Sequence, residues 1–281
     1  MKPPSLDEMI GQVQKLPAMP AVAVEVLQSM AGADIDIDTL ARHITQDQVI
    51  TARVLRVANS PFYGLQSRVG SIHDAIVVVG LSAIRSLVLA ASVMSGLPAI
   101  RSPGFSQNRF WRHVLGTAVA AQALARPLKR APEALFLAGL LHDIGRLAML
   151  VLYPGDFATV QGIAAARDCR LEDAERSHFG YDHSEVGAAL ARRWDFPADI
   201  VDALAWHHRP AQGMPGGLAG IIHYADAIAH ALDLDQDGEQ PGQMPSLDQD
   251  AVSALGLDWD SLNAVLAETR ARFDSYEPLL G

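Results

Sequence analysis

The chain has 281 residues, of which 49% are hydrophobic and 19% are charged, as is typical of a globular protein with one large domain or two small ones. Its formal net charge of -10, without a run of Lys or Arg, argues against nucleic acid or an anionic membrane as the main partner. The single cysteine, Cys169, excludes an internal disulfide and favours a reducing, cytoplasmic location.

The N-terminal part of the chain predicts helices and no strands. Its first segment, "MKPPSLDEMIGQVQKLP", lacks the apolar stretch of a signal peptide. Apolar residues recur at helical spacing within 37–44 and 50–57, and period-2 alternation is nowhere sustained. Ser71 followed by Asp74 predicts a helix start, and "NSPFYG" at 59–64 predicts a loop. We therefore predict an all-α fold.

The distribution of histidines suggests how the chain is divided. The longest uncharged apolar stretch, 86–100, is too short to span a bilayer and predicts a buried helix. Eight of the ten histidines follow it, between 113 and 230. We predict a helical N-terminal subdomain over 1–100, a helical bundle that carries a site over 101–232, and an acidic loop with a C-terminal helix over 233–281. The linker would be 96–107, and the last helix would cover about 261–273.

The segment "AGLLHDIGRLAMLV" at 138–151 poses the main question of this sequence. Its apolar residues recur at helical spacing, which predicts one continuous core helix, yet His142 and Asp143 stand in its middle. A buried imidazole and a buried carboxylate each need a compensating partner. A divalent metal would supply one, and a hydrogen-bonded His/Asp network is the alternative.

Other helical segments of the second half offer similar side chains. Imidazole and carboxylate groups suit ions such as Zn, Mn, Fe or Mg, and several helices can bring them to one centre. The candidates beside His142 and Asp143 are His113, His183, His207, His208 and Asp226.

Some histidines have simpler interpretations. His207 and His208 precede Pro210, where a cation could cap a helix C-terminus as readily as a ligand could bind metal. For His178, His223 and His230 we expect a structural role, with the ring satisfied by a carboxylate or a backbone carbonyl.

Proline and capping residues in the second half of the chain predict where helices begin and end. Pro132 and Pro197 are predicted to lie in the first turns of helices, and Asp182 with Glu185 resembles a capping box. "YPG" at 153–155 predicts a loop. The acidic loop matches only the start of a calcium-loop pattern, because position 12 is Met244, so we interpret it as a solvated loop. Cys169 has no evident general base near it in sequence.

The ordered His and Asp series resembles the HD superfamily of helical metal-dependent phosphohydrolases. Three N-terminal blocks narrow the resemblance to its HDOD family: "LPAMPAVAVEVL" (16–27), "ITQDQVITARVLRVANSPFYG" (44–64) and "SIHDAIVVVGLSAIRSLVLAAS" (71–92). Together the matching blocks cover about residues 10 to 230. The resemblance implies a helical N-terminal part packed on an HD-type helical bundle, in a bacterial cytosolic protein of signal transduction with a protein partner.

The resemblance also implies roles for individual residues. The ligands of the HD motif would be His113, His142, Asp143 and Asp226. The positions of a second metal site in the related HD-GYP phosphodiesterases correspond to His183, His207 and His208. Arg146 stands where phosphodiesterases often have Lys, and keeps the charge beside a phosphate. The Gly-Tyr-Pro loop that recognises cyclic di-GMP is replaced by "RPAQGMPGG".

Three functions remain open at this point. The sequence favours a regulatory protein whose HD-type site acts by binding a ligand, such as a phosphoester or nucleotide, or a signalling partner. The alternative is a metal-dependent phosphohydrolase in which Asp143 bridges metals and Arg146 stabilises developing charge. The third is a helical scaffold with an internal hydrogen-bonded network.

Overall fold

The computed structural model describes residues 3–16, 20–30, 36–96, 100, 102–214, 216–234 and 246–280. Within these ranges the regular elements are helices, and the one β-bridge is an isolated pair between Ser102 and Phe105. The all-α prediction is therefore confirmed. The α-helices are α1 (Leu6–Gln12), α2 (Ala21–Met30), α3 (Ile37–Gln46), α4 (Gln48–Ala58), α5 (Ile72–Val79), α6 (Leu81–Gly96), α7 (Gln107–Leu124), α8 (Pro132–Leu141), α9 (Ile144–Leu152), α10 (Pro154–Arg167), α11 (Leu171–Phe179), α12 (His183–Arg193), α13 (Ala198–Trp206), α14 (Ala219–Ala231), α15 (Gln249–Ser253) and α16 (Trp259–Tyr276).

The helices of the N-terminal part pack around α6. This helix contacts α2, α4 and α5, and it buries an almost continuous run from residue 86 to 94. The loop after α4 is closed by Asn59, whose amide nitrogen donates to the Val69 carbonyl (2.9 Å) and whose oxygen accepts from the Val69 amide (2.8 Å). The predicted loop at 59–64 contains a short 3₁₀ turn, Pro61–Tyr63.

Helix α7 is the central element of the second part. It contacts α8, α14 and α16, and it is buried from Phe110 to Leu124 apart from Arg112. A helix that is apolar nearly all round belongs in the interior of a protein. Contacts between α6 and α8 join the N-terminal helices to this bundle.

The chain ends pack across the predicted boundaries. Helix α1 lies on α9 and α12, and Tyr181 donates a hydrogen bond to the Pro4 carbonyl (3.1 Å). At the other end, Tyr276 of α16 is fully buried, and its hydroxyl lies 3.4 Å from that of Tyr63. The division at residues 100 and 232 stays a prediction, but these contacts connect its parts.

The predicted continuous helix over 138–151 is wrong, because the chain breaks at His142 and Asp143. Helix α8 ends at Leu141, and α9 begins at Ile144, with Asp143 at its N-cap position. The Asp143 carboxylate makes no cap hydrogen bond, although aspartate at this position ordinarily does. The break turns both polar side chains to one side, which a straight helix would place about 100° apart.

Several predicted helix ends shift by a few residues. Pro197 is the N-cap of α13 and lies just outside its first turn, and the break at "YPG" is confined to Tyr153. The apolar helix predicted to reach residue 100 ends at Gly96, and the last helix is longer than predicted. Ser71 and Asp182 do cap their helices, through amides at Asp74 and at Ser184 and Glu185.

In the described residues one segment, Pro132–Leu152, is long and apolar enough to cross a membrane. Its most apolar window is 83% buried inside the fold, as in the core helices of soluble proteins. The described part of the predicted acidic loop ends at Leu234 and resumes at Ser246, so most of that loop lies outside the described residues.

Gly145 should be intolerant of substitution. A Cβ atom there would lie 2.0 Å from the backbone oxygen of His183, whereas a Cβ at Gly162 in α10 would meet nothing within 4 Å. We expect Gly145→Ala to lower the free energy of unfolding by about 1 to 3 kcal/mol or more. Gly162→Ala, the matched control, should raise it by about 0.5 to 1 kcal/mol. Urea unfolding checks both, and equal shifts would contradict the close approach of α9 to α12.

Candidate metal centre

The seven predicted site residues lie together at the meeting point of five helical segments. They are His113 in the middle of α7, His142 and Asp143 between α8 and α9, His183 at the start of α12, His207 and His208 after α13, and Asp226 in α14. All but His208 are buried. The tertiary fold thus assembles residues that are up to 113 positions apart in the chain.

Asp143 occupies the centre of the cluster, and its two oxygens face different partners. Oδ2 lies 3.7 Å from Nε2 of His113 and 3.7 Å from Nε2 of His142. Oδ1 lies 3.0 Å from Nε2 of His183 and 3.8 Å from Nε2 of His207. The carboxylate therefore connects two groups of donors.

The first group contains Asp226 besides His113 and His142. Nε2 of His113 lies 3.2 Å from Nε2 of His142 and 3.3 Å from Oδ1 of Asp226. The second group contains His208 besides His183 and His207, and Nε2 of His208 lies 2.9 Å from Nε2 of His183. Asp143 and the second group bring their ligand atoms within 4.8 Å of one another, as do Asp143, His113 and His142, whereas Asp226 shares such a set with His113 and His230.

The backbone contacts of two rings show that their second nitrogens present lone pairs to the cluster. Nδ1 of His142 donates to the Gly139 carbonyl (2.7 Å), and Nδ1 of His207 donates to the Leu204 carbonyl (2.9 Å). In the neutral rings Nε2 then carries a lone pair, and both lone pairs are directed at the Asp143 side. Within the described residues, Nε2 of His207 and Oδ1 of Asp226 are buried without a hydrogen bond.

Acceptors that face acceptors in a buried site are unfavourable unless a cation lies between them. Imidazole nitrogen and carboxylate oxygen are the donors that divalent transition metals select. The buried cluster therefore has the chemistry of a metal site.

The pKa values of most cluster residues point the same way. Burial opposes the protonation of His183, but the charges of Glu175 and Asp143 outweigh it and hold its pKa well above its usual range. Burial and the neighbouring imidazoles hold the pKa of His113, His207 and His208 well below its usual range, so these rings are neutral, as metal ligands must be. Burial and the nearby Asp143 charge raise the pKa of Asp226 well above its usual range. Burial opposes the ionisation of Asp143, but Arg146 and the imidazoles of His142 and His183 outweigh it and hold its pKa well below that range.

Two further residues hold the ligands in place: Glu175, which the sequence analysis missed, and His223, for which it expected a structural role. Glu175 is fully buried, and its Oε2 accepts from Nδ1 (2.6 Å) and from the backbone amide (2.9 Å) of His183. A carboxylate behind a ligating histidine fixes the tautomer and increases the basicity of the ring. Nδ1 of His223 donates to the His207 carbonyl (2.8 Å), which fixes the segment after α13. The only sequence signal for Glu175 was a polar residue eight positions before a candidate ligand.

The remaining histidine expectations have mixed outcomes. His178 pairs with Asp156 (2.9 Å), and Nε2 of His223 accepts from the Asp248 amide (2.9 Å), so both are satisfied as expected. His207 both caps the last turn of α13 and faces the cluster, so the two interpretations of this residue are compatible. His230 lies beside the cluster, 3.5 Å from Oδ1 of Asp226, so its ring has a carboxylate neighbour as expected, and that carboxylate belongs to the cluster.

A cavity of about 400 Å³ opens beside the cluster. Ligand atoms of both groups reach its wall, whereas His207 is not among its described lining residues. Arg146 lies at this wall and pairs with Oδ2 of Asp143 (2.5 Å). The other charged lining residues are Arg109, Asp168, Arg170 and Glu172. The cluster is thus accessible to a small molecule from one side.

Known proteins share this sequence pattern and this fold. The HDOD domain family matches residues 16–210. An uncharacterized protein of Treponema pallidum (strain Nichols) is 25% identical over 238 residues, which are 82% of this chain and 44% of that protein. The chain therefore spans less than half the length of this relative.

Solved structures agree over nearly the whole chain. A protein of Shewanella amazonensis SB2B, provisionally named a phosphohydrolase, is 29% identical with a TM-score of 0.77, covering 97% of this chain and 98% of its own. An HDOD domain protein of unknown function from Geobacter sulfurreducens is 25% identical with a TM-score of 0.76, covering 97% and 99%. A provisionally named signal transduction protein of Marinobacter aquaeolei VT8, 22% identical with a TM-score of 0.76 over 100% of this chain and 62% of its own, shares the fold.

Removal of the Asp143 carboxylate should affect both donor groups at once. We expect Asp143→Ala to lose bound metal and to melt at a lower temperature than the wild type, because bound metal stabilises only the folded state. Elemental analysis and calorimetry of protein purified without added metal measure both. Asp156→Ala, which removes a carboxylate paired with His178 outside the cluster, should keep the metal content. Unchanged metal and melting in Asp143→Ala would exclude the metal centre.

Glu175 should act on the second group only. Glu175→Gln keeps the size of the side chain but removes the charge behind His183, and such a change typically weakens metal binding by about 10- to 100-fold. Calorimetric titration of metal-free protein should show one weakened and one unchanged binding event. Glu185→Gln, whose carboxylate pairs with Arg176 (3.3 Å), is the control and should leave both events unchanged.

Proposed function

The chain belongs to the HDOD domain family, and from this premise we propose that it is a metal-dependent phosphohydrolase that acts on a small phosphoester. The observation that carries the proposal is that both oxygens of Asp143 face separate donor groups at the wall of an open cavity. A helical scaffold would need neither the cavity nor the unsatisfied lone pairs. The provisional name of the Shewanella protein is consistent with this choice.

We assign two metal ions to the site. One would be held by the first donor group and one by the second, and Asp143 would belong to both. The high share of imidazole favours Fe, Zn or Mn over Mg, which prefers oxygen ligands. When bound, such ions supply Lewis acidity toward phosphoryl oxygens and a lowered pKa for the attacking water.

The chain's own residues hold and orient the reacting groups. Arg146 offers its remaining guanidinium N–H groups to the cavity beside Asp143, where an anionic phosphoester would bind. Glu175 and the Leu204 carbonyl fix the rings of His183 and His207, so the donors keep their positions when a ligand enters.

The wall of the cavity indicates the size and character of the substrate. Its volume lies in the range of about 300 to 1,000 Å³ that small-molecule sites occupy. Phe105 and Phe110 provide apolar surface, while Arg109 and Arg170 provide positive charge. None of the described residues of the "RPAQGMPGG" segment (209–214, 216 and 217) lines it. We therefore expect a compact phosphoester or nucleotide, and no recognition of cyclic di-GMP through this segment.

A second candidate uses the same site without turnover. In this proposal the chain is a regulatory protein of bacterial signal transduction that binds a phosphorylated ligand or a partner protein, as the sequence favoured. The observation in its favour is that Arg146, the cation nearest the cluster, is already paired with Asp143. Binding of a phosphoester without hydrolysis would select this candidate.

Hydrolysis assays distinguish the two candidates. We expect Mn²⁺- or Fe²⁺-loaded protein to hydrolyse bis(p-nitrophenyl) phosphate, and Asp143→Ala to abolish this activity. Arg146→Ala should lower kcat/KM by about 10²- to 10³-fold, because it removes a donor to the developing charge. Cyclic di-GMP should be cleaved no faster by the wild type than by Asp143→Ala.

Arg192→Ala, at an exposed position of α12, is the matched control and should have wild-type activity. Turnover that survives Asp143→Ala would come from a contaminant and contradict the proposal. A phosphoester that binds in calorimetry without being cleaved would favour the regulatory candidate.

A further inference from the structure

His230 is the one further histidine that reaches the cluster. It lies on α14 one turn after Asp226, and its side chain is 16% exposed at the wall of the cavity. The HD-type motif that this chain resembles assigns the first group to four other residues, and the sequence analysis expected His230 to be structural.

The distances place His230 among donors of the first group. Its Nε2 lies 3.5 Å from Oδ1 of Asp226, and this oxygen lies 3.3 Å from Nε2 of His113. The rings of His230 and His113 lie side by side, with centroids 4.7 Å apart. Ligand atoms of these three residues lie within 4.8 Å of one another. Two ligands of one ion are at most about 4.2 to 4.4 Å apart, twice a usual bond length, so both measured separations to Oδ1 of Asp226 suit a shared ion.

The contact between His230 and Asp226 does not have the geometry of a good hydrogen bond. The separation of 3.5 Å is at the outer limit for such a bond, and Oδ1 of Asp226 receives no hydrogen bond from the described residues. A buried carboxylate oxygen in this state has two imidazoles beside it and no donor directed at it. An ion between the three groups would satisfy the oxygen.

We propose that His230 is an additional ligand of the first group, on the side of His113 and Asp226, so that this group offers more side chains than the second. This inference rests on the metal centre of the proposed function. The larger donor set makes the two sites unequal: the first holds its ion more tightly and leaves fewer positions for solvent or phosphoester. The second, formed by Asp143, His183, His207 and His208, then exchanges its ion more readily.

Titration of metal-free protein with Co²⁺ tests the assignment without an activity assay. The visible absorption of Co²⁺ reports its ligands, and calorimetry reports the affinities. We expect two binding events in the wild type. In His230→Ala the tighter event should weaken by at least about tenfold and change its absorption, while the weaker event stays the same. The unchanged event also shows that the variant is folded.

Two further variants separate ligation from other roles. His178→Ala removes an imidazole bound to Asp156 outside the cluster and should leave both events unchanged. His230→Gln keeps a hydrogen-bond donor for Asp226 but not an imidazole. We expect its tighter Co²⁺ binding event to be as weak as that of His230→Ala. Wild-type affinity and absorption in His230→Gln would overturn the assignment and make His230 a positioning residue.

The outcomes also distinguish this inference from the proposed function. If His230→Ala binds Co²⁺ in the same two events as the wild type, His230 is not a ligand and the metal centre stands without it. If the wild type binds no Co²⁺, the metal centre and the role of His230 both fall.

Discussion

The structure of the site depends on the burial of one carboxylate. Asp143 is 2% exposed, and it remains ionised because Arg146 and the surrounding imidazoles compensate the cost of its burial. Asp143 is the N-cap residue of α9, but its side chain makes no cap hydrogen bond. The start of α9 therefore lacks a contact that ordinarily stabilises a helix. Because its two oxygens face opposite groups, every other residue of the cluster is arranged relative to it.

Close helix packing makes this arrangement possible. Helix α9 can approach α12 only because residue 145 has no side chain, and that approach brings Asp143 within 3.0 Å of His183. Glu175, on α11, fixes the same histidine. The contact of α7 with α8 and α14 adds the first group, since His113 and Asp226 lie on helices that pack directly against each other. The packing of the helices thus sets the positions of the cluster residues.

The described lining residues of the cavity run from Gly104 to His230, so they belong to the second part of the chain. The N-terminal helices support it indirectly, through the packing of α6 on α8 and of α1 on α9 and α12. This separation suits a protein in which one region carries the chemistry and another is available for regulation. It is compatible with both candidate functions, which differ in whether the bound phosphoester is cleaved.

From the residues alone one could predict the helical class and the seven clustered side chains, because helical periodicity and the ordered His and Asp series are local or linear features of the chain. The break between α8 and α9 was not predictable in this way, since the apolar pattern continues through it, and the structure shows it together with the close packing of Gly145 on α12. Glu175, His223 and His230 were likewise missed or assigned elsewhere. Their roles depend on which atoms of neighbouring helices lie close to them. Residue spacing along one helix carries no information about distances between helices.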